Sequence, residues 1–290
     1  MTVSHRLFAG GALLLLSLLP LAASAQKIPA QHQPHQKTLL AVFAHPDDET
    51  IVSPVLAAYA RQGVKVYLVV ATDGRMGIMP HAGIPAGDQL AKVRAGEVQC
   101  AAKELGIEPP ILIGLPDAGL AAIKPAVAYP GEPLDKLAKE LRRIVDELDP
   151  QVIISWGPEG AYGHPDHRLV GDVVMQLFLE GGMRMKGRHF YWIGFPPERV
   201  ASAPLWYGFK MYGTDPALLT AKVAFTPQDL ATARKDIGCH KSQATTAMMN
   251  ESFNTLSQLW KGGVQFYEWR GGNKNSGKTN GVKKTSDLFY

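Results

Sequence analysis

Four short runs of aliphatic and β-branched residues alternate with amphipathic stretches, and this alternation limits the possible folds more than any other feature of the chain. The runs predict buried strands at Leu39–Ala44, Val64–Thr72, Ile111–Leu115 and Val152–Trp156. Helical spacing predicts helices at Thr50–Arg61, Asp88–Leu105, Leu134–Leu148 and Leu169–Phe178. Strand and helix in strict alternation are typical of a doubly wound, mainly parallel, Rossmann-like α/β sheet in a three-layer α/β/α arrangement.

The last third of the chain is less regular. Short apolar runs predict strands at His189–Ile193, Leu205–Phe209 and Ala221–Phe225. Thr226 and Pro227 then have the residue types of a helix N-cap and first helical position. We therefore expect an irregular, β-containing extension after the parallel sheet.

The first 25 residues have the features of a secretory signal peptide. Arg6 precedes the apolar run Leu7–Leu21, and Ala23-Ser24-Ala25 matches a signal-peptidase cleavage site. Glycines and a proline interrupt the run, which disfavours an uncleaved membrane anchor. The sequence predicts export to a periplasm or to the outside of the cell.

The remainder is predicted to contain one domain. Residues 26–36 are polar and form an extended leader, residues 37–270 form the domain, and residues 271–290 form a flexible tail rich in Gly, Asn, Lys and Ser. No later apolar run is long enough to predict a membrane span.

Composition argues against nucleic acid as a partner. The formal net charge is +4, and the basic residues are dispersed except in the segment Lys274–Lys284. Cys100 and Cys239 are the only cysteines, and each lies in a helical pattern far from the other. That placement favours two buried thiols over a disulfide.

Polar residues follow each predicted strand. In parallel sheets, ligands bind outside the carboxyl ends of the strands, so Asp48, Asp73, Asp117 and His167 are expected to converge. No G-x-G-x-x-G motif follows the first strand, which excludes the ordinary dinucleotide site.

Two short motifs carry the chemistry. Ala44-His45-Pro46-Asp47-Asp48-Glu49 crowds three carboxylates beside an imidazole, an arrangement that needs a compensating cation or substrate. His164-Pro165-Asp166-His167 repeats the His-x-x-Asp/His spacing at another strand end. Two histidines and one carboxylate suit catalytic Zn²⁺, and the same set suits non-haem Fe(II). The additional carboxylate favours hydrolysis, with Asp47 or Asp48 as general base.

Both motifs resemble those of the PIG-L, or LmbE-like, family of zinc-dependent N-deacetylases. The family's A-H-P-D-D-E motif stands at Ala44–Glu49 and its H-P-D-H motif at His164–His167. The resemblance extends to Arg94-x-x-Glu97, to Pro116-Asp117 and to His240–Gln243.

The resemblance implies a role for several residues. His45, Asp48 and His167 would bind Zn²⁺, with Fe²⁺ or Co²⁺ as alternatives. Asp47 would be the general base for the zinc-bound water, and His164 would stabilise the oxyanion or protonate the amine. Tyr162 would contact the reacting acetyl group.

Other positions are less closely tied to the family pattern. Asp117 matches a residue that hydrogen-bonds sugar hydroxyls. Arg75 stands where relatives often have glutamate, and it is expected either to meet an anionic substrate group or to pair with a carboxylate. His240 and Gln243 are interpreted as structural, and Glu49 as no more than a favourable charge at a helix start.

The resemblance implies a hydrolase that removes the acetyl group from an N-acetylglucosamine-type amino sugar or its conjugate, and the signal-peptide features add secretion. Its partner would be a small-molecule or glycan substrate. Two alternatives stay open: a non-catalytic carbohydrate-binding protein, and a non-haem Fe(II) oxygenase that uses the same two histidines and one carboxylate.

Overall fold

The computed structural model describes residues 36–120, 131–181, 187–206, 208–269 and 284–290. Within these residues it contains seven strands, β1 (Thr38–Phe43), β2 (Lys65–Thr72), β3 (Ile111–Leu115), β4 (Val152–Ser155), β5 (His189–Gly194), β6 (Ala221–Val223) and β7 (Val264–Glu268). The helices are α1 (Ser53–Arg61), α2 (Asp88–Leu105), α3 (Gly131–Leu148), α4 (Gly160–Gly163), α5 (Pro165–Gly181), α6 (Pro197–Ser202), α7 (Pro227–Ile237) and α8 (Thr246–Leu259). Short 3₁₀ turns cover Asp48–Val52 and Pro80–Ala82. Among the described helices, none has both the length and the apolar character of a bilayer-spanning segment.

The strands form one sheet in the order β3-β2-β1-β4-β5-β7-β6. The first five strands are parallel, and β7 and β6 continue the sheet in antiparallel fashion. The predicted doubly wound, mainly parallel fold is therefore confirmed. The strand order reverses between β1 and β4, which creates the crevice where such sheets bind their ligands.

Strand β1 is the centre of the core because both of its faces are covered. Leu39, Ala41 and Phe43 pack with residues of α1, α2, α7 and α8 on one side. Leu40 and Val42 pack with residues of α3 and α5 on the other. Successive side chains of a strand point to opposite faces, so a continuous apolar run is required here.

The extension after β5 differs from the sequence-based prediction. The strand predicted at Leu205–Phe209 is wrong: Trp206 and Phe209 exchange backbone hydrogen bonds of 2.9 and 2.8 Å that close a tight turn. Gly208 in this turn has φ 83°, in the left-handed region that favours glycine. The sequence pattern does not predict α8 or β7. The predicted cap is confirmed, since the Thr226 side chain and Asp229 form a capping box at α7.

The C-terminal residues 284–290 are packed onto the domain, in contrast to the predicted flexible tail. Leu288 is fully buried, and its backbone N–H donates to the Tyr59 hydroxyl at 2.8 Å. Thr285 forms a bridge with Ala221 at the sheet edge. Residues 270–283, the predicted signal peptide at 1–25 and most of the leader, up to residue 35, lie outside the described residues.

Cys100 and Cys239 form a disulfide, so the prediction of two buried thiols is wrong. Helix α2 packs against α7, and this contact brings the two cysteines to a Cα–Cα distance of 5.8 Å despite a sequence separation of 139. Helical spacing along the sequence contains no information on which helices pack together. The bond fastens α2 to the segment that follows α7.

Replacing both cysteines by serine should lower the free energy of unfolding by about 2–5 kcal/mol, because the bond closes a long loop in the unfolded chain. The loss in unfolding free energy is measured by urea denaturation of the double variant and of wild type, each with and without reductant. Equal midpoints for oxidised and reduced wild type would contradict a stabilising disulfide.

Candidate metal centre and its surroundings

The two motifs meet at the crevice between β1 and β4. The turn after β1 carries His45 and Asp48, and the first turn of α5 carries His167; all three are buried. His45 Nδ1 lies 3.3 Å from His167 Nε2. Asp48 Oδ1 lies 3.1 Å from His167 Nε2, and Asp48 Oδ2 lies 3.6 Å from His45 Nδ1.

These separations fit the donor set of one metal ion. Donors bound tetrahedrally at about 2.0–2.1 Å from Zn²⁺ stand about 3.3–3.4 Å apart. The separation between the two histidine nitrogens and that between His167 Nε2 and Asp48 Oδ1 are close to this value. Three protein ligands are also the number that catalytic zinc sites use. The structure therefore brings the three predicted ligands together.

The carboxylate of Asp48 is fixed by more than the histidines. Its Oδ2 accepts hydrogen bonds from the backbone N–H groups of Ala44 and His45, both at 2.9 Å, and from Trp156 Nε1 at 3.0 Å. Burial alone would raise the pKa of Asp48, but the His167 and His45 imidazoles hold that pKa well below its usual range. The group is thus a permanent anion at neutral pH.

Both histidines are oriented by their surroundings. The Trp156 ring stacks on His167 with centroids 4.3 Å apart and planes 3° from parallel. The second nitrogen of His45, Nε2, lies 3.2 Å from Asp117 Oδ1 and 3.4 Å from Asp166 Oδ2. Burial opposes protonation of His45, yet these carboxylates and Asp48 raise its pKa well above the usual value. A carboxylate behind a ligating histidine is a common feature of metal sites, because it fixes the ring and strengthens the donor.

Asp47 stands beside this cluster without belonging to it. Its backbone has φ 116° and ψ −15°, a left-handed conformation that is unusual for a residue other than glycine. Its side chain is 28% exposed and faces the cavity, and Oδ2 lies 3.0 Å from Arg94 Nη2. Burial raises the pKa of Asp47 against the opposing effect of Arg94.

Arg94 is itself a buried residue of α2, held by backbone carbonyl groups. Its guanidinium donates to the carbonyl oxygens of Gly74, at 2.9 Å, and of Pro46. A Cβ added at Gly74 or Gly77 would lie 2.4 or 2.5 Å from Arg94 Nη1. Glycine is required at both positions because the guanidinium occupies the space of a side chain.

His164 is a neutral hydrogen-bond donor. Its Nδ1 accepts from the backbone N–H of Asp166 at 3.2 Å, which assigns the ring proton to Nε2. Burial and the neighbouring His45 and His167 lower the pKa of His164 to about 4. At neutral pH the ring therefore offers an N–H group and carries no charge.

A cavity of about 680 Å³ opens above the cluster. Tyr162 and Asp117 line it, and their contact with a substrate stays a prediction. The Tyr162 ring stacks on Phe209 at 4.6 Å, and Asp117 Oδ2 also accepts from the backbone N–H of Met76 at 3.0 Å. The wall is largely apolar, with Met76, Met79, Trp206, Phe209 and Met248.

Arg75 does not line this cavity. Its guanidinium lies 2.6 Å from the Asp73 carboxylate and 3.1 Å from that of Asp88. Arg75 therefore pairs with carboxylates, one of the two alternatives expected from the sequence, and contact with an anionic substrate group stays a prediction. Asp73 is occupied by this pairing and does not join the metal cluster.

A second buried cluster was missed by the sequence analysis. Glu49 Oε1 lies 2.6 Å from His240 Nε2, and Asp236 accepts a hydrogen bond from Ser53. Burial opposes protonation of His240, but Glu49 raises its pKa to about 9. The partners are 191 residues apart, and the only sequence signal was the His240–Gln243 motif.

Trp156→Phe should keep a ring on His167 but remove the hydrogen bond to Asp48. We expect metal affinity to fall about 10- to 100-fold, as is typical when a partner of a metal ligand is lost. Competition titration with a chromogenic chelator measures it, and Tyr162→Phe is the matched control because Tyr162 makes no such bond to Asp48. Unchanged affinity in Trp156→Phe would contradict the assigned role.

The His240 pKa predicts a pH dependence of stability. A group whose pKa is raised on folding, here from 6.5 to about 9, contributes stability that is fully present below pH 6.5 and is lost as the pH rises toward 9. Burial also raises the pKa of Asp236, and this shift likewise makes the folded protein less stable as the pH rises. Unfolding free energies measured from pH 6 to 9.5 should decline, and His240→Gln should flatten the decline. Equal slopes for wild type and variant would contradict this assignment.

Comparisons with known proteins agree with the motifs. A model of the PIG-L family, described as GlcNAc-PI de-N-acetylase, matches residues 40–178. The 1D-myo-inositol 2-acetamido-2-deoxy-alpha-D-glucopyranoside deacetylase of Thermobifida fusca is 32% identical over 228 residues, covering 70% of this chain and 78% of that protein. The enzyme of the same name from Streptomyces avermitilis is 38% identical over 144 residues, covering 45% of this chain and 49% of that protein.

Solved structures share the fold at lower identity. The N,N'-diacetylchitobiose deacetylase of Pyrococcus horikoshii superimposes with a TM-score of 0.58 at 18% identity, covering 81% of this chain and 85% of that chain. A deacetylase of the teicoplanin biosynthesis pathway gives a TM-score of 0.59 at 19% identity, covering 80% of this chain and 97% of that chain. The motifs, the sheet and the sequence identity together show that this chain belongs to the PIG-L family of de-N-acetylases.

Proposed function

We propose that this protein is an exported, metal-dependent N-deacetylase that hydrolyses the acetamide of an N-acetylglucosamine-type sugar or its conjugate. The observation that carries the proposal is the position of Asp47. Its carboxylate faces the cavity next to a complete three-residue metal cluster, yet it is not one of the three ligands. Hydrolysis provides a task for this additional carboxylate, whereas carbohydrate binding alone does not.

The metal would act as a Lewis acid. Zn²⁺ held by His45, Asp48 and His167 would polarise the acetamide carbonyl and lower the pKa of a bound water, and Fe²⁺ or Co²⁺ fits the same donors.

Asp47 is suited to accept the proton of the attacking water and to pass it to the leaving amine. Its carboxylate is partly exposed in the cavity beside the proposed metal ligands, within reach of a water molecule there. Arg94 restricts the carboxylate to one position at 3.0 Å. A base whose position is fixed loses less entropy when the reaction begins.

His164 is suited to stabilise the negative charge that develops on the carbonyl oxygen. Nδ1 of His164 accepts the hydrogen bond from the backbone N–H of Asp166, so the proton on Nε2 can be donated to a substrate oxygen. A neutral donor already in place stabilises a developing oxyanion without reorganisation. Because the His164 pKa is about 4, we favour this role over protonation of the leaving amine.

The cavity suits an amino sugar that carries a further group. Carboxylates and imidazoles lie at its base, while Trp206, Phe209 and Met248 form an apolar wall. Specific sites for small molecules commonly combine an apolar wall with a few polar groups at the reacting end. Relatives named for inositol-linked, chitobiose and teicoplanin substrates support the same class.

Export is part of the proposal. The signal-peptide features of residues 1–25 support it, and so does the Cys100–Cys239 disulfide, because disulfides persist mainly in oxidising compartments.

Asp47→Ala should keep stoichiometric metal and lose deacetylation by about 10²- to 10⁴-fold, the contribution of a general base. Acetate release from N-acetylglucosamine, chitobiose and inositol-linked N-acetylglucosamine measures activity, and elemental analysis measures metal. Asp88→Asn, which alters an exposed carboxylate outside the cavity, is the control. Full activity in Asp47→Ala would contradict the assignment of the base. Wild-type turnover that needs oxygen and 2-oxoglutarate would favour the oxygenase alternative.

A further inference from the structure

Asp47 needs external support, because its backbone occupies an unfavourable conformation. A residue other than glycine in a sparsely populated φ/ψ region costs about 1–3 kcal/mol, so the surroundings must hold it there. The side chain of Asp47 makes no capping hydrogen bond to the 3₁₀ turn that follows. The turn holds the Asp47 carbonyl through the backbone N–H and hydroxyl of Thr50, at 3.1 and 2.6 Å, so the Asp47 N–H and carboxylate need other partners.

Glu49, paired with His240, holds the backbone N–H of Asp47. Glu49 Oε2 accepts a hydrogen bond from the backbone N–H of Asp47 at 3.1 Å, and Glu49 Oε1 lies 2.6 Å from His240 Nε2. Glu49 and His240 are 0% and 2% exposed. Without His240, the Glu49 carboxylate would be a buried charge without its ionic partner.

Helix α2 holds the side chain of Asp47, and it is also bonded to the segment that contains His240. Arg94 of α2 holds the Asp47 carboxylate, and Glu97, one turn later, accepts from both the backbone N–H and the hydroxyl of Ser242 at 2.6 Å. The Cys100–Cys239 disulfide joins the same two segments. Asp47 is thus held on both sides by segments that are bonded to each other.

We propose that Glu49 and His240 are positioning residues for the reaction: they hold the Asp47 backbone so that its carboxylate points into the cavity. The inference rests on the proposed function and assigns a role to two residues that the sequence analysis interpreted as structural or as a helix charge. A cation shared by Glu49, Asp236 and His240 is disfavoured, because both Glu49 oxygens are already engaged by Asp47 and His240. Stability alone does not account for the pair, since an apolar pair of similar volume is often as stable as a buried ion pair.

The test is a double-mutant cycle with Asp47. His240→Ala should lower kcat about 10- to 100-fold while KM and metal stoichiometry stay the same. His240→Gln should recover most of the loss, because its amide nitrogen can replace Nε2 as donor to Glu49. In the Asp47→Ala background, His240→Ala should cause no further loss, since the two residues act through one carboxylate.

Asp229→Asn is the matched control. Asp229 is a buried acid at the start of α7 that bonds to Arg61 and Thr226, so its loss should lower Tm without lowering kcat. Unchanged kcat in His240→Ala, or an equal further loss in the Asp47→Ala background, would overturn the inference.

Two further outcomes are distinguished: a His240→Ala variant that does not fold, and a wild-type protein without deacetylase activity. If His240→Ala does not fold, the isosteric Glu49→Gln takes its place, with kcat expected to fall and with unchanged kcat overturning the inference. A wild-type protein that releases no acetate from any amino sugar would instead refute the proposed function on which the inference rests.

Discussion

The buried carboxylate of Asp48 is the interaction on which the rest of the site depends. It accepts hydrogen bonds from the end of β1 through two backbone N–H groups and from Trp156 just after β4, and it lies 3.1 Å from His167 of α5. An ionised carboxylate is costly to bury unless donors surround it, so these elements must meet in one arrangement. The same arrangement brings His45 Nδ1 within 3.3 Å of His167 Nε2.

The sheet explains why this arrangement arises at this place. The strand order reverses at β1 and β4, and the crevice between their carboxyl ends is open to ligand. The proposed metal ligands come from the turn after β1 and from the start of α5, while Arg94 of α2 contacts the proposed base, Asp47. The scaffold thus holds the proposed ligands and the proposed base through separate elements.

Local patterns in the sequence were enough to predict the parallel core and the two motifs. The runs at β1 to β4 are continuous and apolar because both sheet faces are covered, and the His45–Asp48 and His164–His167 spacings lie within single turns. Contacts between distant segments could not be predicted: the Cys100–Cys239 bond, the Trp156 bond to Asp48 and the Glu49–His240 pair all depend on which helices and strands pack together. Arg75 departs from the family pattern, and its sequence position left its partner open between a substrate anion and a carboxylate; its pairing with Asp73 and Asp88 depends on how the loop folds. The packed residues 284–290 were missed because their few apolar side chains follow a long polar stretch.

We propose that one metal ion is bound by His45 Nδ1, Asp48 and His167 Nε2, with Asp47 outside the coordination shell. Anomalous scattering at the zinc edge from crystals of the zinc-loaded protein tests this most directly. The predicted result is a single peak about 2.0–2.1 Å from those three donors. A peak on the opposite side of His45, at Nε2 with Asp117 and Asp166, would contradict the account, as would direct coordination by Asp47.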